Sequence, residues 1–470
     1  MAVKKPNILC IMSDEHTWNI AGCYGNPLVK TPNLDRLAKH GVLFTDCYTP
    51  WPLCVPARIA FTAGQYISKC KGWDNNSELP SADYPSLFGL LNKDGYECAL
   101  GGKMHYGSDR RYGFTKDLNP GFNKDFKSLI RHKRIDVDSE EYAKMKDGLS
   151  RRFSQFEISE NNPHFNHDLK VTDLCGEYLR NRKKDDKPFF LLAGYIAPHF
   201  PIIAPEKYYE MYKDRVPMPV IPEGFLDSIP LNYKVLRRAF QTENVPAEIV
   251  KKGRELYYAY VTWMDNEIGK LLEALYNSES ADNTVIIYTT DHGENLGEHG
   301  MWWKNNMYDS CSRIPLIVNF PDRYKAGTRI NKVCSMLDLV PTIAEICGLE
   351  TRDVWDGDSL MGLMEGTAGW KDFAVSEYYA HNIAAGHCMI RRGKYKYVYF
   401  NSIGGKYPAE KQLFDLENDP GEFKNLSGDT EYSGLIAELH NLLVKELGRE
   451  PEAIEAEVRS GNDFDNLTVS

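Results

Sequence analysis

The sequence predicts an α/β fold: a mainly parallel central sheet sandwiched by helices, with a smaller C-terminal antiparallel sheet plus helix. Three observations predict it. Short runs that are apolar on both faces alternate with segments of helical spacing, as in a parallel sheet covered on both sides. After about residue 370 the texture changes to several short strands followed by one helix. Polar residues able to do chemistry follow directly on the apolar runs, and ligands of open α/β sheets sit beyond the carboxyl ends of the strands. The expected division is 1–370 for the α/β domain and 371–470 for a small α+β subdomain.

The elements follow in order. Asn7-Ile-Leu-Cys-Ile-Met12 reads as the first strand. Thr31 to Gly41 reads as a helix, with Thr31 as N-cap, Pro32 in the first turn and Gly41 ending it. Pro85 to Asp94 reads as a helix stopped at Gly95, and Tyr96 to Leu100 as a short strand. Phe189 to Tyr195 is a strongly apolar strand. Arg254 to Tyr276 has helical spacing, and Asn283 to Thr290 is rich in β-formers. Phe373–Tyr379, Cys388–Arg391, Tyr395–Phe400 and Gln412–Asp415 read as the later strands, and Leu435–Leu447 as the closing helix. Residues 126–160 are polar and charged, as an insertion would be. Arg180 to Lys187 reads as a solvated loop ahead of the buried strand, with an anion site as the sharper alternative.

Composition bounds the function. The 470 residues are 42% hydrophobic and 12% aromatic, which excludes disorder for most of the length. No apolar run approaches the ~18 to 20 residues of a membrane span. The apolar stretch behind Met1 to Lys5 is too short for a signal-peptide core of roughly 7–15 residues, so a cytoplasmic protein is expected. A net charge of −10 gives little pull on nucleic acid or anionic membrane, and neither is expected as a partner. The 11 cysteines are scattered and odd in number, which argues against a disulfide framework and against zinc ribbons.

The chemistry collects at strand ends. Asp14 and Glu15 follow the first strand, Lys103 and His105 follow Tyr96–Leu100, His199 follows the Phe189 strand, and Asp291 and His292 follow Thr290. Cys54-Val-Pro-Ala-Arg58 opens a further helix through Ile59 to Ala63. Cys54 then lies at its N-terminal end, where unpaired N–H groups and the helix dipole favour an anion. Arg58 returns to the same face one turn later.

These motifs resemble the formylglycine-dependent sulfatases of the alkaline-phosphatase superfamily, near their choline-sulfatase and phosphonate-monoesterase branches. Cys54-Val-Pro-Ala-Arg58 is similar to that family's C-x-P-[SA]-R signature. Pro6 to Asp14, Thr31 to Gly41, Gly102-Lys-Met-His105, Thr290-Asp-His-Gly-Glu294 and on to Lys304, Arg313-Ile-Pro-Leu, and Leu413 through Asn425-Leu resemble its other landmarks in order. Glu15 stands where many members carry Asp, and His292 where many carry Asn. The resemblance implies that the formylglycine-generating enzyme oxidises Cys54 to an aldehyde. Hydrated, that aldehyde carries two hydroxyls on one carbon. One, ionised by a divalent metal, attacks sulfur, and deprotonation of the other expels sulfate.

The resemblance implies roles residue by residue. Asp14, Asp291 and His292 hold the metal, with Glu15 as a further candidate. Ca²⁺ is expected from the carboxylates, and Mn²⁺ is admitted by the imidazole. Arg58 steadies the hydrate and the metal carboxylates, Lys103 and Lys304 face the sulfate oxygens, and His105 is the base that releases sulfate. His199 with Lys304 protonates the leaving alcohol, and Asn75 donates to a sulfate oxygen. Trp302, Trp303 and Tyr308 are expected as a wall for a sugar, an aryl group or a quaternary ammonium, with packing against the sheet as the alternative. His299 and His381 carry no such support.

The function expected is hydrolysis of the S–O bond of a small organic or saccharide sulfate ester. One alternative is a phosphonate monoester or phosphodiester hydrolase of the same superfamily, against which Gly-Lys-Met-His speaks. Another is a metal- or anion-binding protein whose Cys54 is never oxidised. A homo-oligomer is compatible with each.

Overall fold

The computed structural model describes residues 5–107, 110–119, 134–145, 148–320, 323–367, 369–404 and 406–461. Its strands are β1 (Asn7–Ser13), β2 (Val42–Tyr48), β3 (Glu97–Gly102), β4 (Lys116–Asp117), β5 (Glu157–Ile158), β6 (Phe189–Gly194) and β7 (Ile203–Ala204). The later ones are β8 (Thr284–Thr290), β9 (Arg313–Asn319), β10 (Thr328–Ser335), β11 (Phe373–Tyr378), β12 (His387–Arg392), β13 (Tyr395–Phe400) and β14 (Glu410–Asp415). Eight form the central sheet in the order β10-β2-β9-β8-β1-β6-β3-β4. It is parallel except for β9, which runs antiparallel to β2 and β8. A separate antiparallel sheet holds β11 to β14. The fold class is therefore the one the apolar runs predict.

Strand β1 is the middle of the arrangement and is buried throughout. Ile8 to Met12 expose no surface, each worth roughly 1.5–3 kcal/mol of burial for the larger side chains. Its register is pinned at the start. The Asn7 side chain accepts from the Phe189 N–H at 3.2 Å and donates to Thr284 Oγ1 at 3.4 Å, tying β1 to β6 and β8. Because Asn7 pairs with Thr284 and Ser13 with Thr290, the next residues, Asp14 and Asp291, emerge side by side. On the other flank β3 and β6 end together, Gly102 opposite Gly194. A Cβ on Gly194 would sit 2.2 Å from the Lys103 carbonyl oxygen, so only glycine lets the chain carrying Lys103 pass there.

The helices cover both faces. Cys54–Ala63 is a fully buried helix ending at Gly64, whose φ of 71° suits glycine. The helix predicted from Arg254 begins earlier, at Ala247 after Pro246, and runs to Tyr276. The helix behind Thr31 is present as Pro32–His40, but Thr31 does not cap it. Asp265 accepts from the Asn33 and Leu34 N–H groups at 3.1 and 2.9 Å instead. Helix Pro163–Asn181 is not apparent from the sequence, since its exposed face is strongly polar. It runs into the charged segment at Arg180, where Arg182 is committed to Glu97 at 2.9 Å and Lys183 to Glu279 at 3.1 Å. The loop proper therefore begins at Arg182, and these two cations are paired with carboxylates. Of the expected insertion 126–160, residues 126–133 and 146–147 lie outside the described residues. The rest holds helix Glu140–Lys144, a 3₁₀ turn Arg151–Gln155, and β5 paired with β7. Two helices close the described chain, Ser433–Leu447 and Pro451–Gly461. Among the described residues no helix is long and apolar enough to cross a membrane.

Candidate active site

The strand ends and the Cys54 helix converge on one buried cluster. Asp14, Cys54, Asp291 and His292 each bring a ligand atom within 4.8 Å of the others. The Cys54 Sγ lies 3.2 Å from His292 Nε2, 3.2 Å from Lys304 Nζ and 3.6 Å from Asp14 Oδ1.

Arg58 holds the cluster together. Its Nε donates to Asp291 Oδ2 at 2.9 Å and one terminal nitrogen to Asp14 Oδ2 at 3.0 Å. The remaining donors reach the Lys103 and Ser13 carbonyls at 2.7 and 3.2 Å. All three charged side chains are wholly buried. Lys103 Nζ adds a 2.6 Å contact to Asp14 Oδ2. Burial alone would raise the Asp14 carboxyl, but Lys103, His199, Arg58 and Lys304 together hold it well below the usual carboxylate range. For Asp291 burial prevails over the single Arg58 charge, and the carboxyl is raised.

The free edges of these groups point at the same space. With both cations on Oδ2, Asp14 turns Oδ1 toward Cys54. Asp291 Oδ1 accepts from the Glu15 and His292 N–H groups at 3.2 and 3.0 Å. His292 Nδ1 donates to the Gly293 carbonyl at 3.0 Å, which leaves the lone pair on Nε2. That is the tautomer a metal-binding imidazole needs. Two carboxylates and one imidazole suit a hard divalent cation, so Asp14, Asp291 and His292 fit the expected ion.

Glu15 is placed differently. Its φ is 65°, a left-handed backbone that a side chain adopts at a cost. Its carboxylate turns to Lys304 Nζ and His199 Nε2, each at 3.2 Å, with the buried Glu294 carboxyl beside it. Burial pushes the Glu15 carboxyl up to about 8 against the pull of Lys304. Glu15 thus groups with Asp14 and His199, not with the Asp291 and His292 ligand atoms. Tyr257 fixes it by donating to the Glu15 carbonyl oxygen.

A second constellation flanks Cys54. Lys304 Nζ donates to His199 Nε2 at 3.0 Å, and His199 Nδ1 donates to the Phe200 carbonyl at 2.5 Å. Burial and the charges of Lys304 and Lys103 hold the His199 pKa well below its ordinary value, so the ring is neutral. Burial would lower Lys304 too, but Cys54, Glu15, Asp14 and Asp291 raise it and keep it charged. His105, at a φ of 58°, is also held well below its ordinary pKa, by burial and by Lys103 and Arg58. Asn75 Oδ1 accepts from the Val55 N–H at 3.1 Å, beside Cys54.

Other candidates lie elsewhere. Trp302 and Trp303 form no open wall. They are 3% and 0% exposed in an aromatic cluster with Phe153, Phe156 and Phe240, because the segment read as an insertion folds over them. Tyr308 is buried as well, and His299 stacks on it at 3.8 Å while donating to the Gly421 carbonyl at 2.7 Å. His381 accepts at its carbonyl from the Tyr378 hydroxyl at 3.0 Å.

Two groups near the site are missed by sequence reasoning. Asp168 accepts from the Ile196 and Ala197 N–H groups at 2.8 Å each and so fixes the chain just before His199. Its helix leaves little mark in the apolar pattern. Arg152 sits in the charged segment 126–160, where one arginine stands out from the rest only through its tertiary contacts.

Known proteins share this arrangement of elements. A family profile described as Sulfatase matches residues 6–349, and one described as N-sulphoglucosamine sulphohydrolase, C-terminal, matches 297–448. The chain is 32% identical over 451 residues to the choline-sulfatase of Rhizobium meliloti (strain 1021), which covers 91% of this chain and 83% of that one. A solved 2-O GAG sulfatase superposes with a TM-score of 0.72 at 25% identity, covering 99% of this chain and 95% of that one. The phosphonate monoester hydrolase of Agrobacterium radiobacter superposes with a TM-score of 0.74 at 23% identity, covering 94% and 96%, a likeness of fold.

Replacing Arg58 tests the cluster. Arg58→Met leaves buried Asp291 without its cation and Asp14 with Lys103 alone, which costs about 3–5 kcal/mol of folding stability. Urea denaturation monitored by tryptophan fluorescence reads it. An unchanged midpoint would show that Arg58 does not hold the cluster together.

Proposed function

This chain belongs to the sulfatase family and is a sulfuric ester hydrolase, and from that premise we propose that it cleaves the S–O bond of a small organic or saccharide sulfate through formylglycine at position 54. One observation carries the reading. The Cys54 side chain lies at a helix N-terminus within 3.2 Å of both an imidazole nitrogen and a lysine ammonium, with the Asp14 carboxylate at 3.6 Å. An unmodified cysteine would be a poor nucleophile here. Burial and the Asp14 carboxylate push its thiol up to about 12, so little thiolate exists at neutral pH. In this reading Sγ stands in for a carbon-borne oxygen of the hydrated aldehyde.

Asp14, Asp291 and His292 would hold the divalent ion, for which Ca²⁺ suits the carboxylates. When bound, such an ion supplies charge that acidifies a hydroxyl and draws electrons from sulfur–oxygen bonds. The chain's own residues do the rest. Arg58 favours the ionised form of Asp14 and aims both Asp14 and Asp291. Lys103 and Lys304 bring positive charge to the sulfate oxygens, which would otherwise repel a nucleophile. Neutral His199 accepts at Nε2 from Lys304, so this pair carries a proton where the alcohol departs. His105, kept neutral by its surroundings, accepts a proton at the step that releases sulfate. Asn75 braces the start of the Cys54 helix through Oδ1 and retains its amide donors for an anion. Maturation by a formylglycine-generating enzyme and a cytoplasmic location belong to the same proposal.

Two measurements test it. Cys54→Ser, in which no second hydroxyl can form on the side-chain carbon, abolishes turnover and leaves the thermal unfolding midpoint in place. Full activity in that variant would sink the mechanism. The relatedness in fold to phosphonate monoester hydrolases raises a second substrate class. With matched aryl esters, kcat/KM for the sulfate exceeds that for the phosphonate monoester. A large advantage for the phosphonate would reverse the assignment.

A further inference from the structure

Arg152 lies in the 3₁₀ turn Arg151–Gln155. Its guanidinium sits over three rings, 4.1 Å from the centroid of Phe200, 4.6 Å from Trp303 and 5.3 Å from Phe240. Two of these rings adjoin the proton-carrying pair. Phe200 follows His199 and stacks on it at 4.7 Å, and Trp303 precedes Lys304. The cation therefore stands on the side of the site where the alcohol departs. Burial lowers its pKa, and the acidic groups on the facing side of the site, Glu15 and Glu294, only partly oppose that.

Among the described residues Arg152 makes no ion pair and no side-chain hydrogen bond. The rings hold the face of the guanidinium, and the N–H fork at its edge is left for something else. Arg152 is half-buried, with its guanidinium face against rings in place of water, and a ligand that brings an anion to its edge restores the lost hydrogen bonds. The same three rings would otherwise make an aromatic box for a quaternary ammonium. Here the chain's own cation fills that box and would repel a second one.

We propose that Arg152 is a specificity-determining residue that receives a second anionic group, a carboxylate or sulfo group, on the leaving alcohol. The substrates are then acidic sulfate esters, not choline sulfate. The inference rests on the sulfatase reading above and narrows it.

The test compares kcat/KM for para-nitrophenyl sulfate, its ring-carboxylated and ring-sulfonated analogues, and choline sulfate, using enzyme shown to carry the aldehyde at residue 54. The expected result is a preference for at least one anionic analogue over the parent, which Arg152→Met reduces by about tenfold to a hundredfold. Arg152→Lys, which keeps the charge but loses the fork, falls between. Which analogue loses more in Arg152→Met tells carboxylate from sulfo recognition. A preference that survives Arg152→Met, or choline sulfate as the best substrate of the unaltered enzyme, would overturn the inference. If Arg152→Met fails to fold, Arg152→Lys and the unaltered enzyme's ranking of the four esters decide in the same way. Release of sulfate from none of the esters would remove the sulfatase reading with it, whereas release with equal preference in enzyme and variant removes only the role of Arg152.

Discussion

The bond of Arg58 to both Asp14 and Asp291 is the constraint on which the site depends. Two carboxylates a few ångströms apart in a dry interior repel one another and resist ionisation. A single guanidinium placed between them, with its remaining donors reaching backbone carbonyls, opposes that repulsion and takes the Oδ2 atom of each, which turns both Oδ1 atoms the other way. Lysine could not do this, since a point charge has no fork. Because Arg58 and Cys54 share one turn of one helix, the same residue also sets where Cys54 lies relative to the two carboxylates.

The sheet delivers those carboxylates in register. Asn7 ties the starts of three adjacent strands, so their ends come out level and Asp14, Asp291 and the chain leading to His199 share one rim. Close approach at Gly102 and Gly194 brings Lys103 onto the same rim. Rigid strands thus hold the charged groups, while the loops and turns around Arg152, Phe200 and Phe240 shape what can approach them. That division of labour suits a family in which one reaction is kept and the leaving group varies.

Much of this was legible in the sequence, for a physical reason. A buried parallel strand must be apolar on both faces, so the polar residue that follows it is conspicuous, as at Asp14, Lys103 and Asp291. Cys54 and Arg58 are legible because helical spacing puts them on one face. Other features leave no local mark. The antiparallel direction of β9 cannot be read from an apolar run that looks like its neighbours. Helix Pro163–Asn181 hides Asp168 behind a polar surface. Adjacency to Asp14 makes Glu15 a further candidate for the ion, but the sequence does not show its left-handed backbone or its ion pair with Lys304. Trp302 and Trp303 read as a wall only until the segment around Phe153 and Phe156 is seen to cover them. Arg152 lies in that same charged stretch, and its partners come from three distant parts of the chain.

The chemical state of residue 54 is the most direct test of the account. Peptide mass spectrometry on active protein purified from its native host reads it without any substrate. The account predicts that the peptide spanning Cys54 to Arg58 carries the aldehyde or its hydrate. Active protein in which that side chain is an intact thiol throughout would contradict it.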